Sequence, residues 1–180
     1  MKPEFIIDLC KSCAENIYGV TRPNARYANS IAALLAGTAA TESEFQYRRQ
    51  HGFDYEQGGG AWGLWQTEWA AVSDSIKYLK SRPALFERAR MWVYLRGTVD
   101  LAELIDAPVD RVLRVLRHND ALACLFARLH YLRFSAAIPD TVEGQATYWK
   151  KYYNTHLGAG TPQKYIAKFH HYVLPHWTTQ

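Results

Sequence analysis

Between Ala25 and Glu44 the chain carries its most apolar stretch, with Ile31, Leu34, Leu35 and Ala39 recurring at helical spacing. A helix this apolar is stable only when other elements cover it, so the rest of the chain is expected to pack around it. The same 3.6-residue period recurs along most of the sequence, and sustained alternation of period two is nearly absent. The expected fold is therefore mainly α. Predicted helices cover about residues 3–18, 25–44, 70–80, 83–95, 108–116, 121–134, 143–154 and 162–172. Their starts are marked by Asp106 with Asp110, by Asn119–Asp120, by Asp140 with Glu143, and by Thr161 before Pro162. Gly19, Gly97 and Gly158-Ala159-Gly160 separate helices. Residues 46–60 turn polar, aromatic and glycine-rich, which predicts a loop or a small irregular hairpin. A loop of that length within a domain is usually functional.

At 180 residues the chain has the length of one domain, taken as 1–180. No segment approaches the ~18 uninterrupted apolar residues of a membrane span. The first eleven residues carry acids inside their only apolar run and have no Ala-x-Ala site, a poor secretion signal. A net charge of +4 eases approach to polyanions such as nucleic acid, an anionic membrane surface or a bacterial cell wall, and does not choose among them. Cys10, Cys13 and Cys124 form an odd set without repeated spacing, which predicts reduced thiols. No metal site is expected, because Cys10-x-x-Cys13 lacks a second ligand pair and His170, His171 and His176 have no flanking carboxylate. No cofactor is expected either. Gly58-Gly59-Gly60 lacks the lysine of a phosphate loop, and no Gly-x-Ser-x-Gly elbow occurs. Arg111, Arg114, Arg117, Arg128 and Arg133 read as a solvated amphipathic face, so nucleic acid is not an expected partner.

Two strings carry the chemistry, Thr41-Glu42-Ser43-Glu44-Phe45 and Gly60-Ala61-Trp62-Gly63-Leu64-Trp65-Gln66. With Ile31 as origin and ~100° per residue, Leu35 falls at ~40°, Thr38 at ~−20°, Glu42 at ~20° and Glu44 at ~220°. Glu42 thus shares the apolar face and Glu44 points away. At the C-terminal end of a helix, desolvation and the negative end of the helix dipole both disfavour a carboxylate, so the Glu42 pKa should rise. A carboxylic acid still protonated near neutral pH can donate to a leaving glycosidic oxygen. A helix-end glutamate can equally swing to solvent, and the neighbouring residues decide between the two.

Glu42-Ser43-x-Phe45, then Gly60-Ala61-x-Gly63-Leu64-x-Gln66, then Tyr153-Asn154 before Gly158-x-Gly160, resembles the signatures of lytic transglycosylases and goose-type lysozymes. Phage endolysins and virion-associated muramidases of this lysozyme-like superfamily share the look of residues 149–161. The resemblance implies a lysozyme-like fold with a central catalytic helix, surrounding helices and a small irregular or β-hairpin insert. It also implies cleavage of the β-1,4 bond between N-acetylmuramic acid and N-acetylglucosamine in bacterial peptidoglycan, the expected partner. Carried over by position, Glu42 is the catalytic acid, and Ser43, the serine that packs or hydrogen-bonds beside it, is a candidate substrate-binding residue. Gln66 binds sugar near the scissile bond, Tyr153 closes the cleft over the acid and with Asn154 of the third motif counts among the substrate-binding residues, and Trp65 is an equally balanced candidate for core or sugar-stacking wall. Trp62 and Trp69 are further stacking candidates.

The chain departs from the family pattern at Trp65, where Met often stands, at Tyr152, where Ala is usual, and in the long segment between Glu42 and Gln66. That segment holds Asp54 and Glu56, and Glu68 follows it, so each is a candidate second carboxylate. An inverting hydrolase needs such a base about 6.5–9.5 Å from the acid, whereas a transglycosylase needs only one carboxyl. Both chemistries stay open, as do a chitinase-like endoglycosidase and a non-catalytic wall-binding or structural virion protein. The expected localisation is the host cytoplasm followed by the cell wall or periplasm on release, or the virion, where other virion proteins would be partners.

Overall fold

The helical period of the sequence is realised in nine α-helices among the described residues of a computed structural model. Those residues are 2–48, 60–96, 99–156 and 158–178. The helices are α1 Pro3–Asn16, α2 Ala25–Ser43, α3 Trp69–Lys80, α4 Pro83–Tyr94, α5 Leu101–Asp106, α6 Val109–Leu116, α7 Asp120–Leu132, α8 Val142–Trp149 and α9 Pro162–Lys168. Two of them run on into π-helical turns, α8 through Lys150–Asn154 and α9 through Phe169–Val173.

Thirteen of the nineteen residues of α2 are buried, which makes it the centre of the fold, with α1, α7, α8 and α9 packed on its flanks. The sequence permits this because much of α2 is Ala, Gly, Ser and Thr, over which the large side chains of neighbouring helices can lie. Gly37 is the tightest point. A Cβ there would lie 2.1 Å from the Tyr165 hydroxyl of α9. The buried hydroxyls of α2 are satisfied by the preceding turn: Thr38 donates to Leu34 O (2.7 Å), Thr41 to Gly37 O (2.6 Å) and Ser43 to Ala39 O (2.9 Å). Such bonds let polar residues sit inside without orphaned groups.

Several helix starts follow the expected caps. Asn119 Oδ1 accepts from Leu122 N at 2.9 Å, and Thr161 Oγ1 accepts from Lys164 N at 3.2 Å. Others differ. Asp106 is the last residue of α5, a six-residue helix too short to show a period and capped by Asp100. The N-cap of α6 is Pro108, which offers no side-chain cap. Thr141, rather than Asp140, caps α8 through Gly144 N; Asp140 pairs instead with Arg26. Arg128 also departs from the expected solvated face. It is 4% exposed and donates from Nε to Ile17 O at 2.9 Å, tying α7 to the end of α1.

Cys10, Cys13 and Cys124 are free and buried, and burial pushes the Cys13 and Cys124 thiols upward. Among the described residues no helix is long and apolar enough to cross a membrane. Of the predicted 46–60 loop or hairpin, only 46–48 and Gly60 are described. Just beyond it, Trp62 and Thr67 form an antiparallel bridge, with Trp62 N donating to Thr67 O at 3.1 Å and Thr67 N to Trp62 O at 2.9 Å.

Candidate active site

The C-terminus of α2 opens onto a cleft of about 610 Å³. Glu42 comes from the last turn of α2, and Gln66 and Thr67 from the Trp62–Thr67 turn. Glu68 and Ala71 come from the start of α3, His130 from α7, and Tyr153 and Asn154 from the π turn after α8. Thr155, Gly158 and Ala159 follow that turn. Groups from five separate parts of the chain therefore converge on one carboxyl. Hydroxyls, amides and a second carboxylate dominate the lining, a surface suited to a hydroxyl-rich ligand.

Past Ser43 the chain reverses sharply. Glu44 and Phe45 both take left-handed backbone angles, φ 54° and 58°. This is costly for residues with side chains and is held here by their contacts. Glu44 accepts from Lys168 Nζ at 2.5 Å and from Tyr172 Oη at 2.9 Å, and these two donors hold its carboxyl below the ordinary range. Phe45 is buried edge-on against Tyr172. Glu42, in the last turn of α2, faces the cleft as the helical wheel predicts; Glu44 lies past the helix end, and it is the reversal, not a helix position, that sends it away from the cleft.

Glu42 is only partly exposed, and burial raises its pKa from 4.5 to about 7. The Trp149 indole N–H, which donates to Oε1 at 3.0 Å, and the positive charge of Lys164 oppose the rise, while Glu68 adds to it. Near neutral pH this carboxyl is thus poised between its acid and base forms, the state a general acid requires. The Trp149 bond also holds Oε1 in place.

Gln66 has φ 47°, at the end of the tight turn that begins at Gly63. Gly63 itself has φ +73°, and a Cβ there would meet Leu116 O and Ala123 Cβ at 3.0 Å each, so the turn needs glycine. Gln66 Nε2 donates to Gly63 O (2.8 Å) and Tyr47 O (3.1 Å), leaving its carbonyl oxygen as the group offered to the cleft. Tyr153 donates its hydroxyl to Trp65 O at 2.7 Å and lies 3.3 Å from Thr67 Oγ1, so it is anchored to the turn rather than to Glu42. Asn154 Oδ1 accepts from Lys150 Nζ at 2.9 Å, and the same ammonium reaches Gly158 O at 2.7 Å. A Cβ on Gly158 would fall 2.4 Å from Asn154 O and Oδ1, so the spacing of the third motif reflects a close approach of two backbone segments.

Two sequence candidates for substrate contact are corrected. Trp65 is fully buried, with its indole N–H given to Leu35 O at 2.9 Å, and belongs to the core. Ser43 is 1% exposed and bonded to Ala39 O, so it closes the end of α2 and does not line the cleft. Trp62 is likewise 8% exposed, whereas Trp69, at the start of α3, is half exposed. Among the candidate second carboxylates, Glu68 lies in the cleft, exposed, at the N-cap of α3. Asp54 and Glu56 lie outside the described residues.

The sequence carried no sign of His130 or of the Trp149 donor. A lone histidine within the apolar run of α7 reads as core, and only the packing of α7 beneath the π turn turns it toward the cleft. No family model, curated protein or solved structure matches the chain.

Proposed function

We propose that this protein is a peptidoglycan glycosidase on a lysozyme-like scaffold, cleaving the β-1,4 bond between N-acetylmuramic acid and N-acetylglucosamine with Glu42 as general acid. The observation that carries this reading is the Glu42 carboxyl. It faces a polar cleft from the end of the central helix, is raised to about 7 by burial, and is oriented by Trp149. Its neutral form donates a proton to the departing glycosidic oxygen as the anomeric carbon gains positive charge, and the carboxylate left behind stabilises that charge. Gln66, Tyr153 and Asn154 bind sugar hydroxyl and acetamido groups beside it. Glu68, the other carboxylate that lines the cleft, is the candidate to activate water for hydrolysis; without that step the sugar's own hydroxyl closes a 1,6-anhydro ring.

Digestion of purified sacculi followed by mass spectrometry of the products tests this. Wild type and Glu44→Gln should release muropeptides, and Glu42→Gln should release none while staying folded. Lysis by Glu42→Gln at the wild-type rate would overturn the assignment of the acid. Reducing ends that disappear in Glu68→Gln mark hydrolysis, and 1,6-anhydro ends mark transglycosylation. Release from chitin oligomers alone would point to a chitinase-like enzyme, and sedimentation with sacculi without product to a wall-binding role.

A further inference from the structure

One titratable group in the cleft has no part in the chemistry above. His130 rises from α7 beneath the π turn that bears Tyr153 and Asn154, with Nε2 2.7 Å from Tyr152 O. That carbonyl lies in the last turn of its helical segment, where side chains commonly satisfy helix-end carbonyls. The bond requires the tautomer with hydrogen on Nε2. Nδ1 is then an acceptor, and it faces Arg133 Nη1 at 3.4 Å, while Arg133 Nη2 is bound to Asp74 of α3 at 2.7 Å. The ring also stands edge-on to Tyr153 with centroids 5.0 Å apart. Burial lowers its pKa to about 4, so it is neutral near pH 7 and keeps one donor and one acceptor. Immediately after this turn Thr155 lies at φ 60°, ψ 179°, backbone that β-branched residues avoid, and it too lines the cleft. A wall held this far from relaxed geometry needs an anchor.

We propose that His130 is a positioning residue that, through its Nε2–H bond to the Tyr152 carbonyl, sets the Tyr153–Asn154–Thr155 wall against the sugar whose bond Glu42 cleaves. The role in turnover rests on the glycosidase reading; the anchoring of the wall does not. Loss of the donor lets the π turn shift, and a displacement of about 1 Å in a positioning group costs up to ~100-fold in rate.

Three substitutions separate donor from ring and from bulk. His130→Gln carries an N–H near the place of Nε2, His130→Asn only near that of Nδ1, and His130→Phe keeps the edge-on ring without any donor. Muropeptide release should fall roughly 10- to 100-fold in His130→Phe and His130→Asn, mainly in kcat, and return to within about threefold of wild type in His130→Gln. Amide hydrogen exchange over residues 152–156 should quicken in the Phe and Asn variants and not in the Gln variant, at matched thermal stability. If His130→Phe fails to fold, the Asn and Gln pair carries the comparison. Wild-type exchange in the Asn variant, or equal damage in Asn and Gln, overturns the proposal. Absence of muropeptide release by wild type itself would defeat the glycosidase reading while the exchange result still decides whether His130 anchors the wall.

Discussion

Replacing Glu42 by Gln should stabilise the fold, and only above the pH at which an ordinary carboxyl ionises. Folding moves this group from 4.5 to about 7, chiefly through burial. At ~1.36 kcal/mol per tenfold in acidity, the ionised form is disfavoured in the folded state by ~3 kcal/mol, an upper figure because the carboxyl keeps some contact with cleft water. Since the folded pKa is the higher one, the folded state holds its proton longer than the unfolded chain. The cost is therefore absent below pH 4.5, grows as pH rises to 7 and is constant beyond it. Glutamine keeps an oxygen to accept the Trp149 N–H but cannot ionise. Urea unfolding at pH 4 and pH 8 should thus give equal stabilities for wild type and Glu42→Gln at the lower pH, and an advantage of up to ~3 kcal/mol for the variant at the higher. For a chain of this length that corresponds to roughly 5–10 °C in Tm. A difference independent of pH, or a variant less stable than wild type at pH 8, would refute the claim that a buried, protonatable carboxyl sits at the cleft floor.

Trp149→Phe removes a donor that holds the Glu42 pKa down, so the alkaline limb of the pH–activity profile should move upward; a fixed or lowered limb would show that the indole does not reach the acid. Glu44→Gln should lose the ion pair with Lys168 and one of its two acceptor oxygens, cost about 1 kcal/mol in urea unfolding and leave lytic activity within about twofold. Gly37→Ala should cost ~3 kcal/mol, because the new methyl meets the Tyr165 hydroxyl at the crossing of α2 and α9; a stability change below ~0.5 kcal/mol would mean that the helices are not so close.

Local pattern alone determined a good deal here. The period of 3.6 is a property of neighbouring residues, and it set the helical class, the central place of α2 and the inward direction of Glu42, whereas Glu44 is turned outward by the reversal past Ser43. Capping at Asn119 and Thr161 is equally local, since a side chain there reaches only to N–H groups three residues ahead. The α5 helix was illegible because six residues span less than two turns, too few to reveal a face.

The fate of each side chain around the acid was decided by packing between segments far apart in sequence. Trp65 stands beside cleft residues in the chain, yet it turns into the core, where Leu35 O, 30 positions away, accepts its indole N–H. Trp149 reaches Glu42 across 107 positions, and His130 reaches Tyr152 across 22. A raised carboxyl depends on how much protein surrounds it, and that is a sum over neighbours from five segments which no window of sequence contains. The sequence by itself therefore determined which residue is the acid candidate and on which helix face it lies. Only the tertiary structure decided that its environment holds a proton near neutral pH, because desolvation acts through space and not along the chain.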